Sequence, residues 1–426
     1  MNVLPDCSGV SDMREMKDSG IPWVTNIPKT WDTMANKYIM KKIKRINPVY
    51  HGEDILSLTV NGVIVRDLNA GGKMPTSFDG YQFLYPGNLL MCLFDYDVTP
   101  RCIGLIKNNG VTSPAYSQFV MSEGFSAAYY YYYYLMVDHT KAILHLAKNL
   151  RHSFTEEQLG MISVPVPSLP EQESIASYLD NKCTEIDQIA AEIQSEIDML
   201  EQYRRSVVIE TVTKGLNSDA EKRDSGIQWI GQMPAHWKTI RGKYLLKYLQ
   251  KPTKEGDGVI TCFRDGEVTL RSNRREEGFT LSDKEIGYQG IDIGDLVVHG
   301  MDGFAGAIGI SDSRGKASPV LNVLDTDMNK KYVMYYLRSM AYGDVFTALA
   351  TGIRVRSCDL RWNKLAELFY PVPPREEQDA IVSFIDAKLK RIAEAVDDKK
   401  RQLATLEEYK KSLIFEYVTG KKEVPT

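Results

Sequence analysis

One segment of the chain occurs twice. Residues 18–31 read DSGIPWVTNIPKTW and residues 224–237 read DSGIQWIGQMPAHW. Seven of the fourteen positions are identical: Asp18, Ser19, Gly20, Ile21, Trp23, Pro28 and Trp31 against Asp224, Ser225, Gly226, Ile227, Trp229, Pro234 and Trp237. The offset is 206, and a second pair, PVPSLPEQ at 165–172 and PVPPREEQ at 371–378, has the same offset. Each half therefore spaces its landmarks identically, and the chain is a tandem duplication of a unit of roughly 200 residues. Between the landmarks, residues 32–150 show little kinship with 238–356. A constant frame around variable inserts is expected when two similar modules recognise different things.

A helical pattern follows each PVP block. Leu179, Cys183, Ile186, Ala190, Ile193, Ile197, Leu200, Arg204 and Val207 recur at alternating spacings of four and three. Adding 206 gives Ile385, Leu389, Ile392, Val396, Lys399, Leu403, Leu406, Lys410 and Leu413. A mean spacing of about 3.5 marks a left-handed coiled coil. Ser168 with Glu171 suggests a capping box, Pro170 suits a first turn, and Gly215 and Gly420 sit where such helices stop. The basic breaks Arg204 and Lys410 either snorkel at the helix ends or meet a partner, and Lys399 is placed to fix pairing register. The long insert permits either pairing orientation. Antiparallel packing relates the halves by a pseudo-twofold axis and sends the variable domains to opposite ends. The fold class expected is α+β: two mixed α/β domains separated by two long antiparallel coiled-coil helices.

Composition narrows the setting. Apolar residues at 43% and charged residues at 25% are the ordinary balance of a globular protein. No apolar run reaches the roughly 18 residues of a membrane helix, and the N-terminus lacks the basic and apolar stretches of a signal peptide. The expectation is a cytoplasmic protein with no membrane partner. The six cysteines are scattered singly, which argues against structural zinc and for reduced thiols, with Cys183 in a helix core. Net charge is +2 over 1–153, −8 over 154–216, +1 over 217–359 and +1 over 360–426. The acidic segment cannot easily lie along phosphates, so DNA binding needs local basic patches elsewhere.

The variable inserts read as mixed α/β. Strand candidates are 55–65, 81–94 and 286–300, rich in β-branched and aromatic residues and bounded by Gly, Pro or Asp. PGNLLMC at 86–92 resembles IGDLVVH at 293–299, and SPAYSQF at 113–119 resembles SPVLNVL at 318–324. The tyrosine run 129–134 and KYVMYYLRS at 331–339 look helical. Six consecutive tyrosines cover every face of a helix, so some are expected at the surface. Candidate DNA contacts are Lys41, Lys42, Lys44 and Arg45 in KKIKR; Arg271, Arg274 and Arg275 in LRSNRREEG; and Arg354 and Arg356 in TGIRVRS, with Arg151 similarly placed in the first half. Lys and Arg reach phosphates, and Arg makes paired bonds to guanine edges. The spacing of KKIKR also fits an amphipathic helix.

No F-x-G-x-G loop, [ND]-P-P-[YF] motif, G-x-x-x-x-G-K-[ST] loop or clustered metal motif is present. These absences favour a binding module. The rival readings are a self-contained DNA methyltransferase or nuclease, and a coiled-coil scaffold that makes no DNA contact.

The two DSGI-x-W segments, GDLVVHGMDGFAGAIGISDSRGKASPVLNVL at 294–324 and the PVP-x-x-x-EQ blocks entering heptad helices resemble the specificity subunits of type I restriction–modification systems. The first half departs from that pattern: PGNLLMCLFDYDVTPRCIGLI lacks the Gly-rich stretch of 302–309. The resemblance covers nearly the whole chain. It implies target-recognition domains at 1–153 and 217–359 and conserved helical spacers at 154–216 and 360–426. Each recognition domain reads half of a split double-stranded DNA site, and the spacers set the unread gap. It further implies a subunit with no catalytic centre or cofactor of its own. Two DNA methyltransferase subunits dock on it and flip an adenine out of each half-site, using S-adenosylmethionine. Restriction subunits with ATPase and nuclease activity, using ATP and magnesium, join that assembly.

Overall fold

The computed structural model describes residues 14–69, 75–147, 152–274, 286–349 and 360–425. Two compact units divide the chain: Met1–Ile193 with Arg401–Thr426, and Gln194–Lys400. Both boundaries fall inside long helices. The first rod helix is Leu169–Lys214, 46 residues, and the second is Arg375–Val418, 44 residues.

Each unit holds a four-stranded antiparallel sheet of the same order. In the first unit the strands run Met40–Ile43, Ser117–Met121, Leu89–Met91 and Ile103–Leu105. In the second they run Leu246–Leu249, Leu321–Thr326, Leu296–His299 and Ile308–Ile310. A hairpin lies beside each sheet: Leu56–Thr59 with Gly62–Val65, and Ile260–Cys262 with Val268–Leu270. A tyrosine helix follows each sheet, Ala127–His139 and Lys330–Tyr342. The stretch 55–65 is thus two strands and a turn. KKIKR lies on an edge strand (Met40–Ile43) and its continuation, held there by antiparallel pairing with Gln118–Met121.

The tyrosine run is buried almost throughout. Tyr129, Tyr130, Tyr132, Tyr133 and Tyr134 are all in the first core, and Tyr131 is half-buried. A helix apolar on every side needs neighbours on every side. Four of the five buried phenols are hydrogen-bonded, while the Tyr134 hydroxyl has no partner among the described residues. Tyr129 donates to the carbonyl of Val418 (2.8 Å), Tyr130 to that of Pro165 (3.0 Å) and Tyr132 to Asp180 (2.7 Å). Tyr133 accepts the indole N–H of Trp23 (3.0 Å). Surface tyrosines were expected here; the surrounding sheet, rod ends and repeat segment leave none of the five outside.

The second unit repeats these bonds. Tyr332 donates to the carbonyl of Val212 (3.0 Å), Tyr335 to Asp386, and Tyr336 accepts from Trp229 (3.1 Å). The repeated motifs are therefore joints between domain and rod. Trp31 donates to Glu171 (2.9 Å) and Trp237 to Glu377 (2.8 Å). Gln172 accepts from the Ser126 backbone N–H and Gln378 from that of Asn329, both at 2.8 Å, just where the tyrosine helices begin. Glu171 spends its carboxylate on Trp31 and Arg14, so it serves the joint where a capping box was expected.

Within the first unit the rods pair antiparallel. The rings of Tyr178 and Tyr417 lie 4.5 Å apart, and nine residues further along Asp187 meets Lys410 at 2.6 Å. Leu179, Cys183, Ile186 and Leu413 are buried there, with Leu403 and Leu406 half-buried. In the second unit Glu196 pairs with Lys399. Ile197, Val207, Ile385, Ile392 and Val396 are buried, and Leu200 and Leu389 are half-buried. Ile193, at the boundary, is buried as well. Lys410 thus reaches an acid on the other rod, whereas Arg204 pairs with Glu201 on its own (3.3 Å).

Candidate nucleic-acid interface

Glycines set how closely each hairpin approaches its sheet. A Cβ on Gly104 meets Val63 at 2.5 Å and Leu58 at 2.8 Å, and one on Gly309 meets the Gly266 carbonyl at 2.0 Å. Gly104 and Gly309 are the central residues of equivalent strands, I-G-L and I-G-I. Further along, a Cβ on Gly110 meets the Asp54 carbonyl and one on Gly315 the Gly258 carbonyl, both at 2.5 Å. Only a residue without a side chain permits contact this close, with hairpin side chains at Gly104 and with main-chain carbonyls at Gly309, Gly110 and Gly315. The hairpins thus dock alike although their sequences differ.

Among the basic residues of the first unit, Lys41 is exposed and Lys42 pairs with Glu156. Lys44 and Arg45 are exposed. The Arg45 guanidinium lies 5.7 Å from the Phe83 ring centre and 3.4 Å from the Tyr85 hydroxyl. In the second unit Arg271 donates to Thr261 (3.2 Å), across the hairpin. Arg274 meets Asp265 (2.8 Å) and Glu267 (3.0 Å) and covers the Phe263 ring at 4.2 Å. Arg271 and Arg274 therefore belong to one hairpin. Arg151, Arg275, Arg354 and Arg356 lie outside the described residues.

Sequence reasoning missed two arginines. Arg101 and Arg338 each bond main-chain carbonyls of hairpin and sheet together: Val60 with Ile103, and Gly266 with Ile308. Neither lies in a basic run or a repeat, so no pattern marks them. A charged network also ties loops of the second unit. Lys251 reaches Asp292 (2.8 Å) and Asp295 (2.7 Å), and Arg314 joins Asp292 to Asp257. Hydrogen bonds from Lys251 and Arg314 pull the Asp292 carboxyl down to about 2. Among the described residues no group of three metal-ligating side chains converges, and no helix is long and apolar enough to cross a membrane.

Two divergent domains on one duplicated frame, each fastened to antiparallel rods, define the architecture of type I specificity subunits, and the chain has that fold. A solved structure from work on complex assembly and conformational transition of the type I R-M system superposes with a TM-score of 0.67. It covers 93% of this chain and 99% of that one at 12% identity. The HsdS subunit of Thermoanaerobacter tengcongensis superposes at 0.50, covering 93% and 98% at 14% identity. In sequence the chain is similar to a Methanocaldococcus jannaschii protein described as the MjaX type I restriction enzyme specificity subunit, 24% identical over 293 residues. That match takes in 64% of this chain and 62% of the relative, under two thirds of its length. No family model matches the chain.

Proposed function

We propose that the chain is the DNA-recognition subunit of a type I restriction–modification complex, binding a two-part site with one domain per half-site. The observation that carries this reading is the pairing of an identically bonded frame with two unlike inserts. Trp31–Glu171 and Trp237–Glu377, or Tyr132–Asp180 and Tyr335–Asp386, are the same joints built twice. Such a design varies what is read while keeping fixed what holds the readers.

In this reading residues 1–153 and 217–359 are the recognition domains, and 154–216 and 360–426 are the spacers whose length sets the unread gap. Lys41, Lys42, Lys44, Arg45, Arg271 and Arg274 contact DNA, with Arg151, Arg275, Arg354 and Arg356 joining them. Leu179, Ile186, Ile193, Ile197, Leu200, Val207, Ile385, Leu389, Ile392, Val396, Leu403, Leu406 and Leu413 form the spacer core. The chain performs no chemistry. Two methyltransferase subunits holding S-adenosylmethionine dock on it, and restriction subunits using ATP and magnesium complete the assembly. It works in the cytoplasm, where its DNA is.

The test is an exchange. Residues 238–356 are replaced by the matching insert of another such subunit, the variant is combined with methyltransferase subunits, and methylated sites are sequenced. One half-site changes and the other stays. Both halves changing, or neither, overturns the division of labour. Purified chain alone, given DNA, methyl donor and magnesium, neither methylates nor cuts; turnover by the chain alone overturns the reading.

A further inference from the structure

Where the frames bond alike, the hairpins differ in chemistry. The first is uncharged from Leu56 to Val65 and leaves Val60, Ile64 and Val65 at 61%, 42% and 43% exposure. The second carries Arg264, Asp265 and Glu267 at its turn, with Arg264 reaching Asp302 at 2.9 Å. Yet both are clasped in one way. The Arg101 guanidinium donates to the carbonyls of Val60 (2.6 Å) and Ile103 (3.2 Å) and to the Tyr131 hydroxyl. The Arg338 guanidinium donates to the carbonyls of Gly266 (2.8 Å) and Ile308 (2.7 Å). Ile103 and Ile308 open the equivalent I-G-L and I-G-I strands.

The two clasps come from different places. Arg101 lies just before its strand, whereas Arg338 rises from the tyrosine helix. The same bonds reached from unrelated positions mark the bonds themselves as what matters. Every hairpin atom the clasp holds is a main-chain oxygen, and the approach runs over glycine. The arginine bonds take no hairpin side chain, and although Leu58 and Val63 pack their side chains over Gly104, the exposed hairpin side chains are left free to be replaced. At Gly266 the fit is closest: its φ is +88°, and an added Cβ comes within 1.6 Å of Arg338.

We propose that each hairpin sets the bases its domain reads, and that Arg101 and Arg338 are positioning residues that hold it at reading depth. This rests on the DNA-recognition function proposed above. The chemistry of each hairpin selects a kind of base edge. Val60, Ile64 and Val65 offer apolar contact to thymine methyl groups, and Arg264 offers a guanidinium fork to guanine O6 and N7.

The experiment uses the full chain in complex with its methyltransferase subunits and sequences the methylated sites. Wild-type complex that methylates no two-part site defeats the parent function, an outcome distinct from any effect of the variants. Given such a site, Arg338→Ala lowers base discrimination in the second domain's half-site about tenfold and leaves the other half intact. Arg101→Ala does the reverse. Equal loss in both halves, or none in a variant that melts like wild type, overturns the proposal. If either alanine variant fails to fold, Ile64→Ser and Arg264→Ala take its place, since both alter exposed hairpin side chains. Each relaxes its own half-site, and an unchanged half-site overturns the proposal.

Discussion

Each joint turns on a few atoms. Trp237→Phe keeps most of the buried ring but strips Glu377 of its indole donor, and we expect a loss of about 1–3 kcal/mol in a denaturant melt. Gly420 and Gly215 end the two rods with φ of +71° and +73°. A Cβ at Gly420 strikes Pro28 at 2.5 Å, whereas one at Gly215 comes only to 3.1 Å from Trp237. Gly420→Ala should therefore lower the melting midpoint more than Gly215→Ala, although both share the left-handed strain. His299 is a third case. Its Nδ1 accepts the backbone N–H groups of Met301 (3.2 Å) and Asp302 (3.0 Å), and burial pushes its pKa below 6.5. The unfolded chain then binds the proton more readily than the folded one. The stability this neutral imidazole contributes is present above the unfolded pKa and falls as pH drops through about 6.5. His299→Gln should flatten that part of a stability–pH curve, and an unchanged slope counts against a neutral buried ring.

Among the elements, the rods were legible because heptad spacing is a long signal that many residues share. The strands were less so. KKIKR suits helix or strand by its own spacing, and what decides is pairing of Met40–Ile43 with Gln118–Met121, some 80 residues away. The tyrosine run shows the same limit. Its helical character is local, but its burial depends on rods and repeat segments that close around it. Of the candidate interface, the basic runs could be seen in sequence, whereas the clasp could not. Arg101 and Arg338 matter through carbonyl oxygens of residues 41 and 72 positions away, and a carbonyl has no sequence identity. The rods also carry a charge test. Glu196→Lys opposes Lys399 with a like charge, and adding Lys399→Glu restores the pair. We expect the single variant to lose up to about 1 kcal/mol and the double variant to regain it at low salt. Simple additivity in that cycle rules the contact out as an energetic one.

For the molecule as a whole, duplication was the strongest sequence signal, and it pointed to the shared frame. It also implied a common topology for the inserts, through the paired segments 86–92 with 293–299 and 113–119 with 318–324. The two sheets have the same strand order because glycine pairs and strand pairing preserve topology while side chains diverge. It did not foretell how the rods are divided between the units. The second unit is one continuous stretch, Gln194–Lys400, while the first needs Arg401–Thr426 to complete it. A chain cut after Lys400 should keep hydrogen-exchange protection in the second unit and lose it around Tyr129, whose hydroxyl then lacks the Val418 carbonyl. On the ribosome this makes the order of maturation the reverse of the order of synthesis. The domain translated first must wait, its tyrosine helix half-covered, until the last helix emerges to seal it. Nascent chains stalled late in translation are therefore where a chaperone has most to protect.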